Sequence, residues 1–263
     1  MPSKLNMANW VEKLQSQGRY TFTRFDAESE TGRSFIAVQS ALRRLKEQNR
    51  VVSPRRGFYV IVPPEYRSAG SIPASWFIND LMQFIAQPYY VGLLSAAAIY
   101  GAAHQQPMVF QVITDKPTRP IHIWNNKIEF FMCKQINEMP VKHIQTETGT
   151  IPVSTPETTA FDLVRYQDAA GHLNNVATVL TELAEQLDVK SLLRLTETFR
   201  VPDVQRLGYI LDEIGEEQLA DSLAKWLESK SFRVVKLSTG EQRVGRISNR
   251  WKVVVSEPLE SDL

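Results

Sequence analysis

The stretch from Phe22 to Val62 constrains the fold more than any other part of this 263-residue chain. With its flanks it reads TFTRFDAESETG, then RSFIAVQSALRRLKEQNR, then VVSPRRGFYVIVPP. The first segment predicts a short helix over about Arg24–Thr31, with Thr23 as N-cap. Gly32 supplies the left-handed backbone that ends it. A long helix is expected after Gly32, with Ser34 as N-cap. Its apolar positions Phe35, Val38, Leu42 and Leu45 recur every three or four residues and form one stripe. The opposite side carries Ala37, Gln39, Ser40, Arg43, Arg44 and Glu47, and Arg33 stands just ahead of the helix. Val51-Val52 and Phe58–Val62 flank Ser53-Pro54-Arg55-Arg56-Gly57, which predicts a hairpin with two arginines at its tip.

Helix, glycine turn, helix and hairpin together predict a winged helix-turn-helix. Small, polar and basic side chains on the exposed face of the second helix suit a DNA major groove. Arg33, Ser34, Gln39, Ser40 and Arg43 are the expected base-facing residues. Arg44, Lys46, Arg55 and Arg56 are expected to meet phosphates. Winged helices also dock proteins, so an interaction module stays open as the alternative. The charge pattern favours nucleic acid. Residues 1–67 hold 12 Lys+Arg against 6 Asp+Glu, a net of +6, whereas the whole chain is only +1. A basic head on an acidic body suits an anionic polymer.

Around this element the organisation is simple. Residues 4–17 predict a first helix with Leu5, Met7, Trp10, Val11 and Leu14 on one side, closed by Gly18. Residues 62–75, VPPEYRSAGSIPAS, are rich in Pro and Ser and read as an extended linker. The expected domains are 1–62, the DNA-binding module, and 76–263, an α+β domain, joined by 63–75. The second domain is expected to open with helices near 76–87 and 92–105. Strands follow at Val109–Thr114, Ile121–Trp124, Lys127–Cys133, Val141–Thr146 and Ile151–Ser154, with Asn125-Asn126 as a tight turn. Ser154-Thr155-Pro156-Glu157 is a helix start, and further helices are expected near 173–186, 188–199, 203–214 and 216–229. Strands near 232–237 and 251–255 close the chain. The fold class is thus α+β, a winged helix followed by a larger mixed domain.

Catalytic signatures are absent from the sequence: there is no GxxxxGK[ST], GxGxxG or HExxH. His104, His122, His143 and His172 have no metal-ligand spacing. Zinc held by His122, Cys133 and His143 across strands is a weaker reading than surface histidines. Asp212-Glu213 with Glu216-Glu217 reads as a solvated helix break. Asp162, among apolar residues, is expected to pair with Arg165 or Arg206. Arg243 and Arg246 read as a plain basic loop. No cofactor, metal or catalytic residue is expected, and an enzyme in 76–263 would need carboxylates converging in one cleft. With a single cysteine and no long apolar run, a cytoplasmic protein is expected.

Several pieces in order resemble the AbiEi family: RRGFYVIVPP, YYVGLLSAAAIYGAAHQ, IPVSTPETTAFDLV and VQRLGYILDEIG. These are antitoxins of type IV toxin–antitoxin and phage-resistance (abortive infection) systems. The resemblance implies a cytoplasmic autorepressor whose N-terminal domain binds inverted repeats in its own promoter. It also implies a C-terminal domain that opposes a nucleotidyltransferase-like toxin without a stable complex. No motif carries the antitoxin activity onto named residues, and a stand-alone transcriptional regulator or a winged-helix interaction module without a toxin partner is the alternative.

Overall fold

A computed structural model describes residues 6–103, 108–238, 245–256 and 259. Leu5, His104 and Arg243 lie outside the described residues. The fold is mixed α/β, with helices and several sheets. Two compact units divide it, and the chain passes between them more than once. The first takes Met1–Tyr89, Met108–Lys134 and His143–Pro152; the second takes Tyr90–Pro107, Gln135–Lys142 and Val153–Leu263.

The first unit opens with α1 (Met7–Ser16), β1 (Thr21–Thr23), α2 (Arg24–Thr31), α3 (Phe35–Glu47), β2 (Val51–Arg55) and β3 (Phe58–Ile61). The local rules written in the sequence act as expected. Thr23 caps α2 in a capping box with Asp26, and Gly32 closes it at φ 63°. Replacing Thr23 with alanine is expected to cost about 1 kcal/mol, read as a lowered denaturant midpoint. β2 and β3 form an antiparallel hairpin with Val51 opposite Ile61 and Arg55 opposite Phe58. β1 adds a third strand beside β3, with Phe22 opposite Tyr59. Trp10, Phe22, Val38, Leu42, Leu45, Val51, Tyr59 and Ile61 belong to one apolar cluster beneath the helices. Phe22 anchors it, edge-on to Trp10 at 5.0 Å and stacked on Tyr59 at 5.3 Å.

Two expectations for α3 need correction. Phe35 is not in the buried stripe: it is 44% exposed, and Ala41 joins Val38, Leu42 and Leu45 instead. Phe35 is not a member of the apolar cluster, and its ring instead lies under the Arg24 guanidinium at 4.8 Å. Ser34 holds the N-cap backbone position, but its hydroxyl makes no capping bond.

Residues 63–75 are not an extended linker either. Pro64–Tyr66 and Ala74–Trp76 each wind into a 3-10 turn, and Ile72 is fully buried. Asn126 holds this stretch by donating to the Ile72 carbonyl at 2.9 Å. After α4 (Ile78–Phe84) and β4 (Tyr89–Val91) come α5 (Leu93–Ile99), β5 (Val109–Thr114), β6 (Ile121–Ile123) and β7 (Asn126–Met132). β5 pairs parallel with β7, and β6 pairs antiparallel with β7. The β6–β7 turn is Trp124-Asn125, one residue earlier than expected, and the positive φ of 50° falls on Trp124 rather than on an asparagine. The Trp124 ring lies directly against Gly70, where any side chain would collide with it. Tertiary packing thereby offsets a conformation that local preference disfavours.

β8 (Val141–Thr146) and β9 (Gly149–Ser154) follow, and β9 pairs parallel with β4 through Val153 and Val91. The second unit is then built on α6 (Pro156–Arg165), capped by the Thr155 hydroxyl and buried from Pro156 through Val164. Around it lie α7 (His172–Leu183), α8 (Val189–Leu195) and α9 (Val201–Glu213), and α10 (Glu217–Glu228) packs on α9 and α8. β10 (Val235–Lys236), β11 (Arg246–Ser248) and β12 (Val253–Val255) make a small sheet of order β10-β12-β11.

Candidate nucleic-acid interface

The polar face of α3 lies opposite its buried stripe. Gln39, Ser40, Arg43 and Lys46 share one open hollow with Ile36, Leu42 and Tyr59. The spacing explains the grouping: residues 36, 39, 40 and 43 step along a single helix face. Arg43 is exposed and sits 3.7 Å from Glu47, a loose surface pair. Such a pair is worth a few tenths of a kcal/mol, about 0.3–0.5, and does not hold Arg43 back from a stronger anion. Lys46 reaches over the Tyr59 ring at 5.1 Å, and partial burial lowers its pKa. Arg44 is exposed in the last turn of α3, Ser34 is exposed at its start, and Arg33 is half-buried beside it.

The hairpin arginines part company. Arg56 is exposed at the turn. Arg55 is half-buried and donates from Nη2 to the Arg119 carbonyl, between β5 and β6. Burial, and then the Arg119 charge, hold its pKa below the ordinary guanidinium value, though an arginine stays charged. The hairpin is therefore no free-standing finger: its turn glycine, Gly57, lies beside the Phe84 ring, and Phe58 packs on Phe84 at 5.4 Å.

Arg24 is the residue that the sequence reading missed. Its backbone N–H donates to the Gly57 carbonyl at 2.9 Å, which ties the start of α2 to the hairpin turn. Its guanidinium lies 4.8 Å from the Phe35 ring centroid and pairs with Glu28 at 3.3 Å. Arg24, Phe25, Arg56 and Gly57 line a second hollow with Thr23 and Phe84. Arg24 thus links the hairpin hollow to the start of α3. Its position directly after the N-cap was the available signal, since a residue there points out from the first turn.

In the second unit the most unusual polar group is Asp162. It is fully buried on α6, accepts the Tyr90 hydroxyl at 2.9 Å, and leaves Oδ1 without a hydrogen bond. Burial pushes its pKa up to about 7; Tyr90 and Arg165 pull the other way, and Asp203 adds to the rise. Asp203 is itself buried and is held by Arg200 at 3.2 Å and Arg206 at 3.4 Å. Asp212 accepts from Trp251 Nε1 at 2.8 Å and from Arg250 at 2.9 Å, which makes it a structural anchor. Cys133 is buried, while His122 and His143 are exposed. Among the described residues no group of three His, Cys, Asp or Glu is arranged to hold a metal ion. No helix among them is long and apolar enough to cross a membrane.

Residues 90–213 match the family model of the AbiEi antitoxin C-terminal domain. No curated protein sequence matches the chain. Among solved structures, the crystal structure of the RV2827C protein from Mycobacterium tuberculosis is similar, with a TM-score of 0.64 and 16% sequence identity. The similarity covers 94% of this chain and 90% of that one. At that identity it shows a shared fold and nothing of function.

Proposed function

We propose, from the premise that this chain belongs to the AbiEi antitoxin family through residues 90–213, that it is a type IV antitoxin and a repressor of its own operon. Residues 1–62 act as a winged helix-turn-helix, with α3 as recognition helix and β2–β3 as wing. The observation that supports this best is the hollow shared by Gln39, Ser40, Arg43 and Lys46, with a second hollow lined by Arg24 and exposed Arg56. Gln39 suits adenine and Arg43 suits guanine, each worth about 1–3 kcal/mol of base discrimination. Arg33 and Ser34 flank them at the helix start. Arg44, Lys46, Arg55 and Arg56 neutralise phosphates, with Arg55 also tied to the Arg119 carbonyl. Inverted repeats would take two copies of the head, about 34 Å or a multiple apart along the duplex. The remainder of the chain opposes a nucleotidyltransferase-like toxin without a stable complex, in the cytoplasm.

A gel shift on the region upstream of the gene, at moderate salt, tests the DNA reading. Arg56→Ala is expected to weaken binding to all duplexes alike and to reduce the log K against log salt slope by about 0.9. An unchanged slope removes Arg56 from the phosphate contacts. Exposed Phe25 and Ile36 are the observation that favours a second reading, docking of a protein on the same face. A protein that leaves every duplex unshifted belongs to that reading.

A further inference from the structure

Phe25 and Ile36 are 75% and 77% exposed, and Phe35 adjoins Ile36 in the first turn of α3. Scattered surface hydrophobes need no explanation, but these are not scattered. Ile36 shares its hollow with Gln39, Ser40 and Arg43. Phe25 shares the other hollow with Arg24 and Arg56, and Arg24 lies over Phe35. Each hollow therefore sets an exposed apolar side chain beside a guanidinium, Ile36 with Arg43 and Phe25 with Arg24 and Arg56. β-Branched Ile36 gains nothing from helix propensity at an exposed first-turn position, and among the described residues it stays 77% exposed. An occupant that complements this offers anionic groups beside an apolar one. Duplex DNA does: phosphates border the major groove, and the thymine 5-methyl is the apolar group on its floor.

We infer that Ile36 reads the 5-methyl group of a thymine in the major groove. This rests on the DNA-binding reading and adds to it a base preference set by apolar contact rather than by hydrogen bonds. Gln39 and Ser40 lie three and four residues further along the same face, so a thymine methyl and a hydrogen-bonded base edge fall under one helix turn.

The test uses full-length protein and duplexes that it enriches from a random-sequence pool. Each enriched duplex is compared with the same duplex carrying deoxyuridine for thymine, which removes only the methyl groups. The wild type is expected to bind the thymine form at least about fourfold more tightly, the worth of one buried methyl. Ile36→Ala, an exposed change that leaves the buried stripe of α3 intact, is expected to bring that ratio close to one. A wild-type ratio near one, or a ratio that survives in Ile36→Ala, overturns the inference and leaves DNA binding standing. Failure to enrich any duplex overturns the DNA reading itself. Loss of self-association in Ile36→Ala, with the wild type itself binding thymine and deoxyuridine duplexes alike, assigns the patch to a protein contact and overturns the inference.

Discussion

Replacing Asp162 with asparagine is expected to remove a pH dependence of stability that the natural chain shows between about pH 4 and pH 7. Burial dominates the group, raising its pKa to about 7 against the opposing pull of Tyr90 and Arg165. The unfolded value is about 3.9, so the folded carboxyl keeps its proton where the unfolded chain has released it. The sign follows. Below about pH 4 both states are protonated and Asp162 contributes no pH dependence. As pH rises toward 7 the unfolded state is increasingly favoured, and the loss levels off above the folded pKa. A rise of about three units amounts to roughly 4 kcal/mol across this range; the buried amide of asparagine leaves its own N–H group seeking a partner, a cost that is the same at every pH. The measurement is chemical denaturation of both proteins across this range. The difference between their stabilities should change with pH in the asparagine variant's favour. Parallel profiles would mean that Asp162 is ionised in the folded protein, held by Arg165.

Gly208→Ala is expected to cost about 3–5 kcal/mol. A Cβ at this α9 position would stand 2.0 Å from the Trp251 ring. Trp251 cannot step aside cheaply. It is fully buried, its Nε1 donates to Asp212, and Arg250 lies over its ring at 5.1 Å. The methyl therefore evicts the indole, and the cost approaches that of losing a buried tryptophan. A double-mutant cycle reads the mechanism. Gly208→Ala added to Trp251→Ala should cost little beyond Trp251→Ala alone. Additive losses would show that backbone strain in α9, and not the indole, carries the effect.

Both predictions concern groups whose surroundings come from distant parts of the chain, and this marks where sequence reading stops. Asp162 was legible as a buried carboxylate because it sits in TAFDLV; that Tyr90 supplies its hydrogen bond was not, because 72 residues separate them. The arginine pair at 55–56 was legible as a hairpin tip. That Arg55 bonds a carbonyl 64 residues away, while Arg56 faces outward, was not. Phe35 satisfied the helical period and still lies outside the core, because periodicity tells which side of a helix a residue is on, not how far the covering layer extends. The exposed Ile36 carried no signal, since an isoleucine within Phe35-Ile36-Ala37-Val38 reads as core.

What the sequence by itself determined is what acts within a few residues. The Thr23–Asp26 capping box, the left-handed Gly32, the 38-42-45 stripe, strand Val109–Thr114 and the Thr155-Pro156 start of α6 all formed where they were expected. Caps, turns and periods are short-range chemistry, and the concentration of positive charge in the N-terminal quarter is plain counting. Only the tertiary structure decided which of those cations remain available, which apolar side chains stay uncovered, that residues 63–75 pack, and that a tryptophan accepts positive φ at 124. Each of these depends on atoms brought together across tens of residues, where the energy of contact outweighs local preference.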